Sequence, residues 1–167
     1  MNNSTNNGAS LHDTTTLIVG IDPGLTGAIA IVNNDGHLID AYDLPVIGKH
    51  INAAELATYE GWRSNPDGFH AVIEQVASRP GQSSVATFTF GHGVGTIEAT
   101  FAVLGVPLTR VTPATWKRHF GLGKDKNDSR RKATELWPGK SSLFARVKDD
   151  GRAEAALIAR WYQETNR

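Results

Sequence analysis

The sequence predicts an α/β domain built on a central mixed five-stranded sheet flanked by helices, and three observations lead to that class. Three short apolar runs, 17–22, 28–33 and 38–43, follow one another across turn-length gaps, the pattern of an antiparallel meander. Two further apolar runs, 69–76 and 106–111, are each preceded by a segment long enough for a helical crossover, as parallel strands require. After them the chain holds only helix-like segments. At 167 residues it reads as a single domain, 17–167, large enough to bury about two thirds of its unfolded surface.

Each element has its own reason. Leu17 to Ile21 is too apolar and β-branched for a surface segment, so it reads as a buried strand with one carboxylate, Asp22, at its tip. Pro23-Gly24 and Gly27 supply a tight turn and leave room for a phosphate or a backbone to approach. Asn33-Asn34-Asp35-Gly36 is a strong hairpin signal between the second and third strands. Residues 45–52 read as a loop, and 52–60 as a helix capped by Asn52. Phe69 to Val76 is a second buried strand, again carrying a single acid, Glu74. From Ser83 or Ser84 to Leu104 small and apolar residues run too long for a strand, and the expected helix is interrupted or weakened around Gly91, Gly93 and Gly95.

Beyond the fifth strand, Thr112 and Pro113 are the cap and first residue of a short helix carrying Trp116 to Phe120. Asp128-Ser129 is read as the cap of a helix running to Trp137 and stopped by Pro138-Gly139, and the last helix covers about 151–163. The Asn/Ser/Thr-rich residues 1–16 have neither a basic segment nor an apolar core, so a disordered tail is expected. No apolar run approaches the roughly 20 residues of a membrane span. With no cysteine, thiolate zinc sites and cysteine nucleophiles are excluded, and a cytoplasmic protein is expected.

The net charge of zero hides a partition. Residues 1–109 hold three Lys/Arg against ten Asp/Glu, whereas 110–167 hold fourteen against seven. In one compact domain that split implies a basic face beside an acidic pocket, an arrangement suited to holding polyanions over cations, although a dipolar surface without a partner shows the same numbers.

The element order resembles that of the ribonuclease H-like fold. In that topology the first and fourth strands are central neighbours, which would set Asp22 beside Glu74. A lone acid at the tip of a buried strand either caps its own turn or needs a counter-charge, and two buried carboxylates together need a cation between them. Mg²⁺ or Mn²⁺ suits carboxylate oxygens, whereas zinc recruits His or Cys. Further acids open the last helix: Asp149, Asp150 and Glu154 lie at its cap and first turn, where the helix dipole favours them and where plain N-capping is the alternative role for the first two. Four acids from three elements suffice for two metal ions about 4 Å apart, the arrangement that polarises a phosphodiester, activates water and stabilises a departing oxygen.

Gly20-Ile21-Asp22-Pro23-Gly24, Glu74 closing an apolar strand, and the acids of the last helix together resemble the RuvC class of Holliday junction resolvases. Thr115-Trp116-Lys117-Arg118-His119-Phe120, Lys124-Asp125, Asp128-Ser129-Arg130-Arg131 and Lys148 to Ala155 are similar to the plant chloroplast resolvases, themselves RuvC-like. The resemblance implies a homodimer that binds a four-way DNA junction and nicks two opposed strands with Mg²⁺ or Mn²⁺, two ions per site. Its implied ligands are Asp22, Glu74, Asp149 and Glu154, with Asp150 as an alternative to Asp149. Bacterial RuvC proteins usually carry the last two acids three residues apart, and here the residue three before Glu154 is Gly151.

For DNA, nine basic residues between Arg110 and Lys140 face three acids, with Trp116, His119 and Phe120 interleaved. Lys117 and Arg118 are the expected phosphate contacts, Trp116 and Phe120 being four apart and better read as core. Lys124, Lys126, Arg130, Arg131 and Lys132 cap or line the next helix as further contacts or as a solvated face. Arg79 and Gln82, on the loop after Glu74, are candidates for reading or wedging the junction, and Lys148 for contacting the scissile phosphate. His92 between Gly91 and Gly93 is disfavoured as a ligand. The same chemistry also fits a nuclease acting on RNA–DNA hybrids or flaps, and the same fold an inactive junction binder; a sugar-kinase or actin-like ATPase would need a second lobe.

Overall fold

In the computed structural model the described residues are 16–166 except Val76, Ser78, Arg79, Pro80, Gln82 and Lys124. Residues 1–15 of the expected tail, Arg79, Gln82, Lys124 and the side chain of Lys126 therefore lie outside them.

The chain opens with the expected meander, β1 (Leu17–Asp22), β2 (Ala28–Val32) and β3 (Leu38–Asp43), with Gly20 opposite Ala30 and Asp22 opposite Ala28. Where a loop was expected, a two-residue pair forms, β4 (Val46–Ile47) with β5 (His50–Ile51), turning at Gly48 with a φ of 62°. The helix expected over 52–60 breaks into α1 (Ala53–Leu56), capped by Asn52, and α2 (Glu60–Ser64). The break lets Trp62 bury completely while its indole N–H donates to the Leu56 carbonyl at 3.2 Å.

The second half follows as β6 (Phe69–Glu74), α3 (Ser84–Val103), β7 (Leu108–Val111), α4 (Pro113–His119), α5 (Lys126–Leu136) and α6 (Asp150–Thr165). Two expectations are corrected. Helix α3 runs unbroken through Gly91, Gly93 and Gly95, because flanking packing through Ile97, Thr100 and Phe101 outweighs the roughly 1 kcal/mol per glycine. Helix α5 starts earlier than Asp128-Ser129, since the Asp125 carboxylate accepts the Asn127 N–H and caps it.

The sheet order is β3-β2-β1-β6-β7, with β6 parallel to both β1 and β7. Alternation along the strands divides the core in two. Val19 and Ile21 of β1, with Ile73 of β6, face the side that holds Trp62, Ile97 and Phe101. Ile18 and Val72 face α6, with Trp116, Ala155, Leu157 and Ala159. Asp22 and Glu74 share the parity of this second set, and the last paired residues, Ile21 and Ile73, stand immediately before them. The topology thus puts both acids at adjacent strand ends on the α6 face.

Helix α6 reaches that face because β1 has no side chain where they cross. A Cβ on Gly20 would lie 2.0 Å from the Ala155 carbonyl oxygen and 2.6 Å from the Ala159 nitrogen. Ala155, Ala156 and Ala159 are fully buried along the contact, so helix and strand approach backbone to backbone. Among the described residues, no helix is long and apolar enough to cross a membrane.

Candidate metal centre

Three carboxylates meet where β1, β6 and α6 converge. One oxygen each from Asp22, Glu74 and Glu154 lies within 4.8 Å of the others. Glu74 is buried; Asp22 and Glu154 are half-buried at the rim. Burial pushes the Asp22 carboxyl well above its usual range; the charges of Glu154, Glu74 and Asp150 push the same way, and Lys117 opposes them. Three oxygen donors carrying excess negative charge fit a hard divalent ion.

The helices around the cluster hold its members. The Trp116 indole N–H donates to Glu74 Oε1 at 2.8 Å. Lys117 Nζ lies 2.9 Å from Glu154 Oε1, and the Ser129 hydroxyl donates to that oxygen at 3.1 Å. Lys117, expected on phosphate, is thus placed in the acidic cluster. Ser129 was read only as part of a helix cap; with the α5 start shifted, its side chain points at α6 instead.

Asp149 is not in this group of acids. Its side chain is 1% exposed, with Oδ2 accepting the Arg146 backbone N–H at 2.8 Å and Oδ1 accepting Arg146 Nη2 at 2.7 Å. That guanidinium bond holds its carboxyl below the usual range. The i, i+3 spacing of Arg146 and Asp149 was the signal in the sequence that could have pointed to this turn-locking pair. Asp150, the alternative, is half-buried, accepts the Gly151 N–H at 3.1 Å, and is close enough for its charge to act on Asp22. Gly151 itself meets the first turn: a Cβ there would lie 3.1 Å from Asp22 Oδ2 and 3.0 Å from the Thr26 carbonyl oxygen.

The remaining basic candidates separate. Arg118 and Lys148 are exposed. Arg130 is bound to the carbonyls of Phe144 and Ala145 and to the Asn127 side chain, so it ties α5 to the following 3-10 segment. Arg131 is exposed and paired with Asp128 at 2.9 Å. Arg152, not singled out from the sequence, bridges the start of α6 to Asp43 at the end of β3, at 2.6 Å. His92 lies exposed on α3, edge-on to His50.

No family model matches the chain. Among curated proteins it is 28% identical over 100 residues to the chloroplastic Holliday junction resolvase MOC1 of Chlamydomonas reinhardtii. That alignment covers 59% of this chain but 11% of the relative, so the chain spans about a tenth of that protein's length. Two solved structures of RuvC from Thermus thermophilus superpose on it with a TM-score of 0.56. One, in complex with a Holliday junction substrate, is 14% identical and covers 90% of this chain and 96% of its own; the other is 18% identical and covers 89% and 96%. The architecture is therefore RNase H-like, as the element order predicted.

Proposed function

We propose that this chain is a metal-dependent endonuclease that resolves four-way DNA junctions by paired, symmetric nicks. The observation that carries the reading is the convergence of Asp22, Glu74 and Glu154 from three elements of a RuvC-like fold. It is supported by the sequence similarity to a plant-type junction resolvase. When bound by these carboxylates, Mg²⁺ or Mn²⁺ supplies charge stabilisation for in-line displacement at phosphorus, and the acid count here is compatible with two ions. The chain's own residues do the rest. Lys117 and Ser129 hold Glu154, Trp116 holds Glu74, and the exposed Arg118, Arg131 and Lys148 offer cations to the DNA backbone.

For the fourth oxygen donor we favour Asp150 over Asp149, because Asp149 is saturated by Arg146 while the charge of Asp150 reaches Asp22. Asp150→Asn will weaken Mn²⁺ binding and cleavage with little change in the unfolding midpoint. Asp149→Asn will instead cost about 2 kcal/mol of stability by leaving a charge-assisted buried bond half-made. That contribution is present above an unfolded carboxylate pKa of about 3.9 and lost as pH falls through the lower folded value. Urea unfolding at pH 7 and below pH 4, beside Mn²⁺ titration of both variants, checks the two statements; a loss of Mn²⁺ affinity in Asp149→Asn and none in Asp150→Asn would reverse the assignment.

Symmetric cleavage needs two copies, and α3 offers the surface. Val85, Phe88, His92, Gly95, Ala99 and Val103 form one stripe on its outer side that carries no Asp, Glu, Lys or Arg, with Phe88 75% and Val103 89% exposed. Glu98 is the helix's one charged residue, and Arg110 holds it at 2.7 Å. The stripe runs about 30 Å, and an uncharged helix face fits a second copy of itself better than it fits DNA. Phe88→Glu will convert a dimer to a monomer in analytical ultracentrifugation; a wild-type monomer would refute the pairing.

The deciding experiment compares an immobile four-way junction with linear duplex, flap and RNA–DNA hybrid in Mg²⁺ or Mn²⁺. Paired nicks in opposed arms of the junction are expected. Cleavage confined to hybrid or flap would replace the substrate, and tight junction binding without cleavage would replace the activity.

A further inference from the structure

We propose that Trp116 is a positioning residue of the metal centre, its indole N–H setting the orientation of Glu74; the inference rests on the metal-dependent reading above. From the sequence Trp116 reads as core, and its ring is fully buried on the α6 side of the sheet. The structure gives it a second role. Glu74 is paired in register with Val111, the last residue of β7. Thr112 caps α4 immediately afterwards, with Pro113 opening the first turn, so the helix starts beside Glu74 and brings Trp116 back over it. The result is the 2.8 Å bond from Nε1 to Glu74 Oε1, between two buried groups.

The chemistry of the donor explains its suitability. An indole N–H is a donor only, so it is satisfied by a carboxylate lone pair and cannot accept from a protonated acid. It fixes one of the two carboxylate oxygens, Oε1, and so sets the plane in which the group can face a ligand. Being neutral, it adds no positive charge to compete with a cation. Glu154 is held differently, by the Lys117 ammonium, which itself lies 5.0 Å over the Trp116 ring. Adjacent residues of one short helix thus grip two of the three acids, one by charge and one without it. A buried indole N–H takes an acceptor wherever it sits, as that of Trp62 takes the Leu56 carbonyl; what sets Trp116 apart is that its acceptor is a carboxylate of the acidic cluster, the place where a partner of a metal ligand bears on affinity.

The test is Trp116→Phe, which keeps an aromatic ring and deletes the N–H. Mn²⁺ binding is read from the free-ion signal in electron paramagnetic resonance, alongside the unfolding midpoint of the metal-free protein. Expected is a 10–100-fold loss of Mn²⁺ affinity, with a matching rise in the metal concentration for half-maximal cleavage. Unchanged affinity in a folded variant would overturn the inference and leave the nuclease reading intact. A wild-type protein that binds no Mn²⁺ would overturn both. If the variant does not fold, the assigned Trp116 indole N–H resonance of the wild type decides. It must shift as Mg²⁺ is titrated, at the midpoint of Mg²⁺ binding, and an indifferent resonance would refute the proposal.

Discussion

Asp22→Asn will abolish junction cleavage and, in the absence of metal, make the protein more stable at neutral pH. Both effects come from the same carboxylate. It stands at the end of a buried strand, where burial first, then Glu154, Glu74 and Asp150, disfavour its ionised form against the single opposing charge of Lys117. A folded pKa raised above the unfolded value of about 3.9 contributes stability that is fully present below that value and lost as pH rises through the folded one. Metal-free wild type will therefore lose stability from mildly acidic towards neutral pH, and Asn, uncharged and nearly isosteric, will remove that part of the pH dependence. Mg²⁺ or Mn²⁺ will raise the unfolding midpoint of wild type at neutral pH and leave the variant almost unmoved. Cleavage should fall by about three orders of magnitude or more, the factor to which several kcal/mol of lost transition-state stabilisation corresponds. Thermal unfolding across pH with and without metal, beside the junction assay, checks the set. A variant less stable than wild type in every condition would show that Asp22 is a structural cap instead.

The second large effect is at Gly20, distant in chemistry from any reaction. Adding one methyl group there places carbon 2.0 Å from a helix carbonyl oxygen and 2.6 Å from a helix nitrogen, atoms that no rotamer change can move. Helix α6 must shift, and with it Ala155, Ala156 and Ala159, which are sealed against the sheet. Overpacking of this kind costs about 3 kcal/mol, which for a chain of this size lowers the unfolding midpoint by about 6–12 °C. Gly20→Val will cost more and leave little folded protein. Because Glu154 rides on the displaced helix while Asp22 stays on β1, Gly20→Ala should also lose metal affinity. An alanine variant with a wild-type midpoint would contradict the backbone contact described here.

Much of this was legible in the residues, for identifiable reasons. The strand starts and ends at Leu17, Asp22, Leu38 and Asp43 follow from abrupt changes in polarity, and Thr112-Pro113 from cap chemistry that few other residues satisfy. The neighbouring positions of Asp22 and Glu74 were expected from the fold that the element order resembles, in which the first and fourth strands are adjacent, and the pairing of β1 with β6 agrees. What was not legible depends on groups far apart in sequence. The split between α1 and α2 is driven by Trp62 finding its place in the core, and propensity does not see that. The roles of Lys117 and Ser129 needed α4 and α5 to be laid against α6. At Asp149 two readings competed, a metal ligand and a plain N-cap; its carboxylate instead locks the turn through the Arg146 backbone and guanidinium, a contact neither reading contained.

Gly151 bears on how such proteins are recognised. Its bare Cα faces the Asp22 carboxylate and the Thr26 carbonyl, so the first turn of α6 has little room for an acid at that position. A search pattern that demands two acids three residues apart would pass over this chain, although Asp22, Glu74 and Glu154 come together in it. Spacing along a helix is a record of one solution to the problem of gathering oxygens around a point, and a solution that drew on the first residue of the helix instead would leave a different signature. In this chain the trace that remains is the pairing of strand-end acids on neighbouring parallel strands, Asp22 on β1 and Glu74 on β6.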